Sequence, residues 1–90
     1  MSYYIYDADG YVGDLASNNG LNELEKFLSD DEFLKTFFDE GSTEDIEALQ
    51  KVLEDKESSD KDINDTIQNL KELVAKCKDI VIISDGVINE

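Results

Sequence analysis

The residues of this chain best suited to chemistry are carboxylates: Asp7-Ala8-Asp9-Gly10, then Asp14, and far downstream Asp85-Gly86. Closely spaced carboxylates can ligate a hard divalent cation, serve as nucleophile and general acid/base, or bond to nearby amides in a turn. Other chemistries are closed to the chain. It contains no histidine, so imidazole acid/base catalysis and imidazole metal ligation are excluded. Cys77 is the single cysteine, which excludes an internal disulfide and a cysteine zinc cluster. There is no arginine, and with it goes the bidentate clamp for phosphate or carboxylate.

Aligned to an EF-hand calcium loop with Gly10 in the invariant glycine position, the segment supplies Asp7 and Asp9 as ligands. Ile5 then falls where the opening acid belongs, and Ala16 where the closing bidentate glutamate belongs. Asp14 falls at no ligand position. What remains is a looser site made by Asp7, Asp9, Asp14 and a carbonyl, holding Mg2+ or Ca2+; no other cofactor is expected. If the strands that end at Asp7 and Asp85 run parallel, Asp85 joins the same sheet edge and shares that cation. The competing reading is that strands simply end in Asp-Gly turns.

The apolar run Tyr3 to Tyr6 feeds directly into Asp7-x-Asp9-Gly10, and a later strand, Ile80 to Ser84, ends in serine. These two stretches resemble the first motif and the phosphate-holding serine strand of haloacid-dehalogenase-type phosphatases. The resemblance implies a magnesium-dependent phosphoryl-transfer enzyme with Asp7 as nucleophile and Asp9 as general acid/base. The chain departs from that pattern at Tyr11, where the family prefers threonine, and no lysine follows Ser84.

Charge is the strongest signal. Twenty-three acids face eight lysines, for a net charge of -15. Such a chain repels nucleic acid and anionic membrane and attracts a basic protein surface. Acid is densest from Glu32 to Asp62. Glu44, Glu47 and Glu54 are expected on the outer face of a helix, where carboxylates can imitate the phosphate rows of a nucleic acid. The alternative is a solvated face that only keeps the chain soluble. Tyr11, beside the first turn, is the candidate aromatic contact for a partner.

The elements that must position these residues are legible in the patterning. Tyr3–Tyr6 reads as a strand, Asp7–Gly10 as a turn, and Tyr11–Gly13 as a short second strand completing a hairpin. After a loop at Ser17–Gly20, apolar stripes predict four helices. They are Leu21, Leu24, Phe27 and Leu28; Phe33, Leu34, Phe37 and Phe38; Ile46, Leu49, Val52 and Leu53; and Ile63, Ile67, Leu70, Val74 and Cys77. Ser29 with Glu32 reads as a capping box, Ser42 and Ser59 as further N-caps, and Gly41 as a helix stop. Ile80–Ile83 is the last strand.

Ninety residues suit one domain, 1–90, with a small core. We expect an α/β or α+β fold with a three-stranded mixed sheet of order 2-1-3. In it the N-terminal hairpin pairs with a C-terminal strand, parallel to the first through a right-handed crossover. Helices on one face would leave Tyr4 and Tyr6 in an apolar patch on the other, suited to a homodimer through the sheet. No leader is read at the N-terminus and no apolar run is long enough to span a membrane, so the chain is expected to be cytoplasmic. The function expected is an acidic protein-binding module or inhibitor that docks on a basic, nucleic-acid-binding protein. The phosphatase-like enzyme and the structural homodimer stand as alternatives.

Overall fold

β-Branched and aromatic residues crowd the two ends of the sequence, and there they form a sheet. A computed structural model describes residues 2–16 and 21–85; the loop expected at 17–20 and the Gly86 of the second Asp-Gly pair lie outside the described residues. The elements are β1 (Ser2–Asp7), β2 (Gly10–Ala16), α1 (Leu21–Leu28), α2 (Glu32–Glu40), β3 (Ser42–Thr43), α3 (Ile46–Glu54), α4 (Lys61–Lys76) and β4 (Val81–Ser84).

The sheet has four strands in the order β2-β1-β4-β3, and every neighbouring pair is antiparallel. This corrects the expected three-stranded mixed sheet of order 2-1-3. The terminal strands do pair, but in opposite directions: Tyr4 faces Ser84, Ile5 faces Ile83 and Tyr6 faces Ile82. The cause is β3, only two residues long, whose Ser42 and Thr43 pair with Ile82 and Val81. Two residues carry no periodicity to read, yet they reverse the chain once more between the helix pairs. Consecutive strands therefore alternate in direction throughout, and no parallel crossover forms.

Register decides which side chains meet the helices. Ile5 lies opposite Gly13 on one side and Ile83 on the other, and with Leu15 and Val81 it forms the inner face of the sheet. Onto that face pack Leu24 and Leu28 of α1, Leu34 and Phe37 of α2, Leu49 and Leu53 of α3, and Ile67, Leu70, Leu73 and Val74 of α4, in one cluster. Gly13 admits α4: a Cβ there would stand 2.5 Å from Cδ2 of Leu73. The pairing shifts by one residue after Ile5, so Tyr6 lies opposite Tyr11 rather than Val12. This bulge lets Val12 pack on the core and turns Tyr11 out to solvent.

The starts of α2, α3 and α4 follow one rule that the serines concealed. Asp31, Asp45 and Asp60 are the N-caps of α2, α3 and α4, accepting from the N–H groups of Leu34, Ala48 and Asp62 at 3.1, 3.1 and 2.9 Å. Ser29, read as a cap, instead closes α1 by donating to the Glu25 carbonyl at 2.6 Å. Ser42 lies in β3, and Ser59 stands one residue before the Asp60 cap. Aspartate carries a full negative charge at the positive end of the helix dipole, which serine does not. Gly41 ends α2 with φ 80°, donating to Phe37 O at 2.8 Å and accepting from Ile83 N at 2.8 Å. One left-handed glycine thus stops a helix and begins the edge of the sheet.

Replacing Gly13 by alanine should force Leu73 from its position and lower stability by about 1–3 kcal/mol. Denaturant unfolding of the Gly13→Ala, Leu73→Ala and double variants checks this. The double variant should be clearly less destabilised than the sum of the singles, because the clash exists only when both side chains are present.

Candidate functional site

Asp7 ends β1, and its carboxylate is already engaged. Oδ1 accepts from Asp9 N and Oδ2 accepts from Lys78 N, both at 2.9 Å. Ala8 N donates to Lys78 O at 3.2 Å, so the hairpin turn and the α4–β4 connection are stitched together. That connection is tight. Ile80 N donates to Lys78 O at 2.8 Å across Asp79, whose φ of 69° makes it the one non-glycine residue with positive φ among those described. The three residues form a γ-type turn. Cys77 caps α4 beside this stitch, with Sγ 3.4 Å from Leu73 O. Burial, and secondarily the Asp7 charge, push its thiol from 9.0 up to about 11. Cys77 is thus a protonated packing residue.

The four carboxylates expected to share a cation do not converge. Antiparallel pairing places Ser84 opposite Tyr4, so Asp85 leaves the sheet at the other end of β1 from Asp7 and Asp9. At the rise of a strand the separation is about 13 Å. Asp14 lies opposite Tyr4 and is exposed; one of its oxygens accepts the Tyr11 hydroxyl proton, and its backbone carbonyl accepts from Asn69 Nδ2 at 3.4 Å. Among the described residues no three carboxylate or thiol groups are grouped to hold a metal ion. The phosphatase resemblance requires the Asp7 and Ser84 strand ends side by side, and the same pairing holds them apart.

The expected partner-binding carboxylates are all exposed. Glu44 lies in the turn after β3, Glu47 in the first turn of α3, and Glu54 at the end of α3. Asp39 and Glu40 end α2, so the stretch 39–47 presents five exposed carboxylates, those of Asp39, Glu40, Glu44, Asp45 and Glu47, with no lysine between Lys35 and Lys51. No carboxylate among the described residues is buried. On the outer face of the sheet Tyr4, Tyr6 and Ile82 remain partly exposed, beside Tyr11 at 60% exposure. The Tyr6 and Tyr11 rings meet edge to face, 5.8 Å apart. The hydrogen bond to Asp14 raises the Tyr11 phenol pKa.

A cleft of about 350 Å3 opens at the far end of the sheet, lined by Tyr3, Glu25, Phe38, Ile83, Ser84 and Asp85. The Tyr3 hydroxyl donates to Glu25 Oε2 at 2.9 Å, and the Tyr3 and Phe38 rings lie 6.4 Å apart. Burial pushes the Tyr3 phenol up to about 12, helped by that hydrogen bond and by the charges of Glu25 and Asp85. Sequence reasoning passed over Tyr3 and Glu25, which lie 22 positions apart in the chain. Phe37 and Phe38 are adjacent on one helix and cannot both point inward. Phe37 takes the core, and Phe38 turns toward Tyr3.

Comparison of the chain with protein-family models, with curated proteins and with solved structures finds no match.

Two outcomes test the Asp7 stitch. Asp7→Ala removes the acceptor for two backbone N–H groups and should cost about 1–2 kcal/mol in chemical denaturation, with added Mg2+ or Ca2+ making no difference. The thiol provides the second readout. Because folding raises the Cys77 pKa, its stabilising contribution is complete below 9.0 and is lost as pH climbs through about 11. Alkylation of native Cys77 near neutral pH should run on the order of 100-fold slower than in the unfolded chain, and Asp7→Ala should speed it.

Proposed function

We propose that this domain binds a basic protein through the carboxylates that run from the end of α2 through β3 into α3. The observation that carries this reading is the set of exposed carboxylates of Asp39, Glu40, Glu44, Asp45 and Glu47 within a stretch free of lysine. Helix stability accounts for only part of it, since Asp45 caps α3 and Glu47 lies in the first turn of that helix. Asp39 and Glu40 occupy the last turn of α2, which has no basic residue, and negative charge is unfavourable at that end of a helix dipole. Asp31 and Asp60, by contrast, are accounted for as caps. A partner surface built to grip phosphates is the natural complement to carboxylates spaced along an exposed ridge.

A second reading, self-association through the outer sheet face, is favoured by Tyr4, Tyr6, Tyr11 and Ile82. Salt separates the two. Two chains of net charge -15 repel, so a dimer through that face should strengthen as salt rises, whereas attraction to a basic protein should weaken.

Capture of basic proteins from cell extract on the immobilised domain should fall about tenfold or more between roughly 0.05 M and 0.5 M ionic strength. The variant Asp39→Asn/Glu40→Gln/Glu44→Gln/Glu47→Gln should lose that capture while its thermal midpoint stays level or rises. Salt-insensitive capture, or a variant that captures as well as the parent, would overturn the reading. Sedimentation of the domain alone across the same salt range checks the second one.

A further inference from the structure

We infer that the cleft beside Tyr3 receives the guanidinium of an arginine side chain from the basic partner. The inference deepens the reading above and rests on it for the identity of the ligand's carrier. Its own support is the composition of one concave site. Glu25 and Asp85 place two carboxylates in the wall, and the lining includes no lysine. Three other clefts, lined in part by Lys56 and Lys71, by Lys26, and by Lys71, each carry a cation of their own. Tyr3 and Phe38 supply two aromatic rings, tilted by 40°, whose negative faces attract a cation. The Tyr3 hydroxyl bond fixes Glu25 from α1 against β1, so one carboxylate is positioned before any ligand arrives.

These features select guanidinium over ammonium. A planar cation can stack on a ring and still present paired N–H donors in its own plane to a carboxylate; a compact ammonium ion cannot do both. The volume, about 350 Å3, is ample for one arginine side chain. The location fits as well, because Phe38 is followed directly by Asp39 and Glu40, the start of the acidic stretch. The cleft would take one arginine while the ridge attracts the rest of the basic surface.

The probe is the capped tripeptide Gly-Arg-Gly, titrated into the 15N-labelled domain and followed by amide shifts. The citrulline tripeptide, neutral and nearly isosteric, and the lysine tripeptide are the controls. The arginine peptide should shift the amides of Tyr3, Phe38, Ser84 and Asp85 saturably; the lysine peptide should do so more weakly, and the citrulline peptide should leave them unmoved. Asp85→Asn, at an exposed position, and Phe38→Leu should each weaken binding about two- to fivefold. Equal shifts with citrulline, no shifts at the cleft, or binding indifferent to both substitutions would overturn the inference. The two readings fail separately. Shifts confined to residues 39–47 would sink the cleft and keep the acidic ridge. A cleft that titrates as described, in a domain whose capture of basic proteins ignores the fourfold variant, would do the reverse.

Discussion

Ile5 holds the molecule together. It sits wholly buried at the centre of β1, flanked by Gly13 and Ile83 in the neighbouring strands, with Leu73 of α4 lying against Gly13. Every helix contributes to the single cluster that covers this point. In a chain this short, one apolar layer between one sheet face and four helices is the whole core. Two consequences follow from its one-sidedness. Among the described residues no carboxylate is buried, and the outer sheet face keeps its tyrosines.

The acids divide by what they do. Asp31, Asp45 and Asp60 start helices, and Asp7 ties the first hairpin to the last loop. These four are structural, and the motif that opens the chain belongs with them: Asp7-Ala8-Asp9-Gly10 is a turn whose first carboxylate holds two backbone amides. Asp39, Glu40 and Glu44 have no such employment, and the first two sit where a helix is least tolerant of negative charge. Charge in a costly position is a better pointer to a partner than charge in total.

Much of the fold was legible because helices advertise themselves over many residues. The stripes of α1 to α4 place Leu24, Leu28, Leu34, Leu49, Leu53, Ile67, Leu70 and Val74 inward, where they are buried. What stayed hidden depends on short or distant relations. Two residues, Ser42 and Thr43, reverse the strand direction and thereby separate Asp85 from Asp7. The true caps were hidden behind serines one to three residues earlier, since Ser and Asp satisfy the same geometry and only the local backbone chooses between them. The Tyr3 cleft draws on β1, α1, α2 and the end of β4, and no spacing within the chain announces such a meeting.

The borders of the sheet have a further effect on how these molecules behave in a crowd. One border strand is two residues long, and the other carries a bulge and has an outward carbonyl, that of Asp14, covered by Asn69. The first is too short to template an added strand, and the bulge breaks the flatness of the second, which is seven residues long. In a chain without proline, and with a β-rich segment at each end, these two features work against strand addition at the margins.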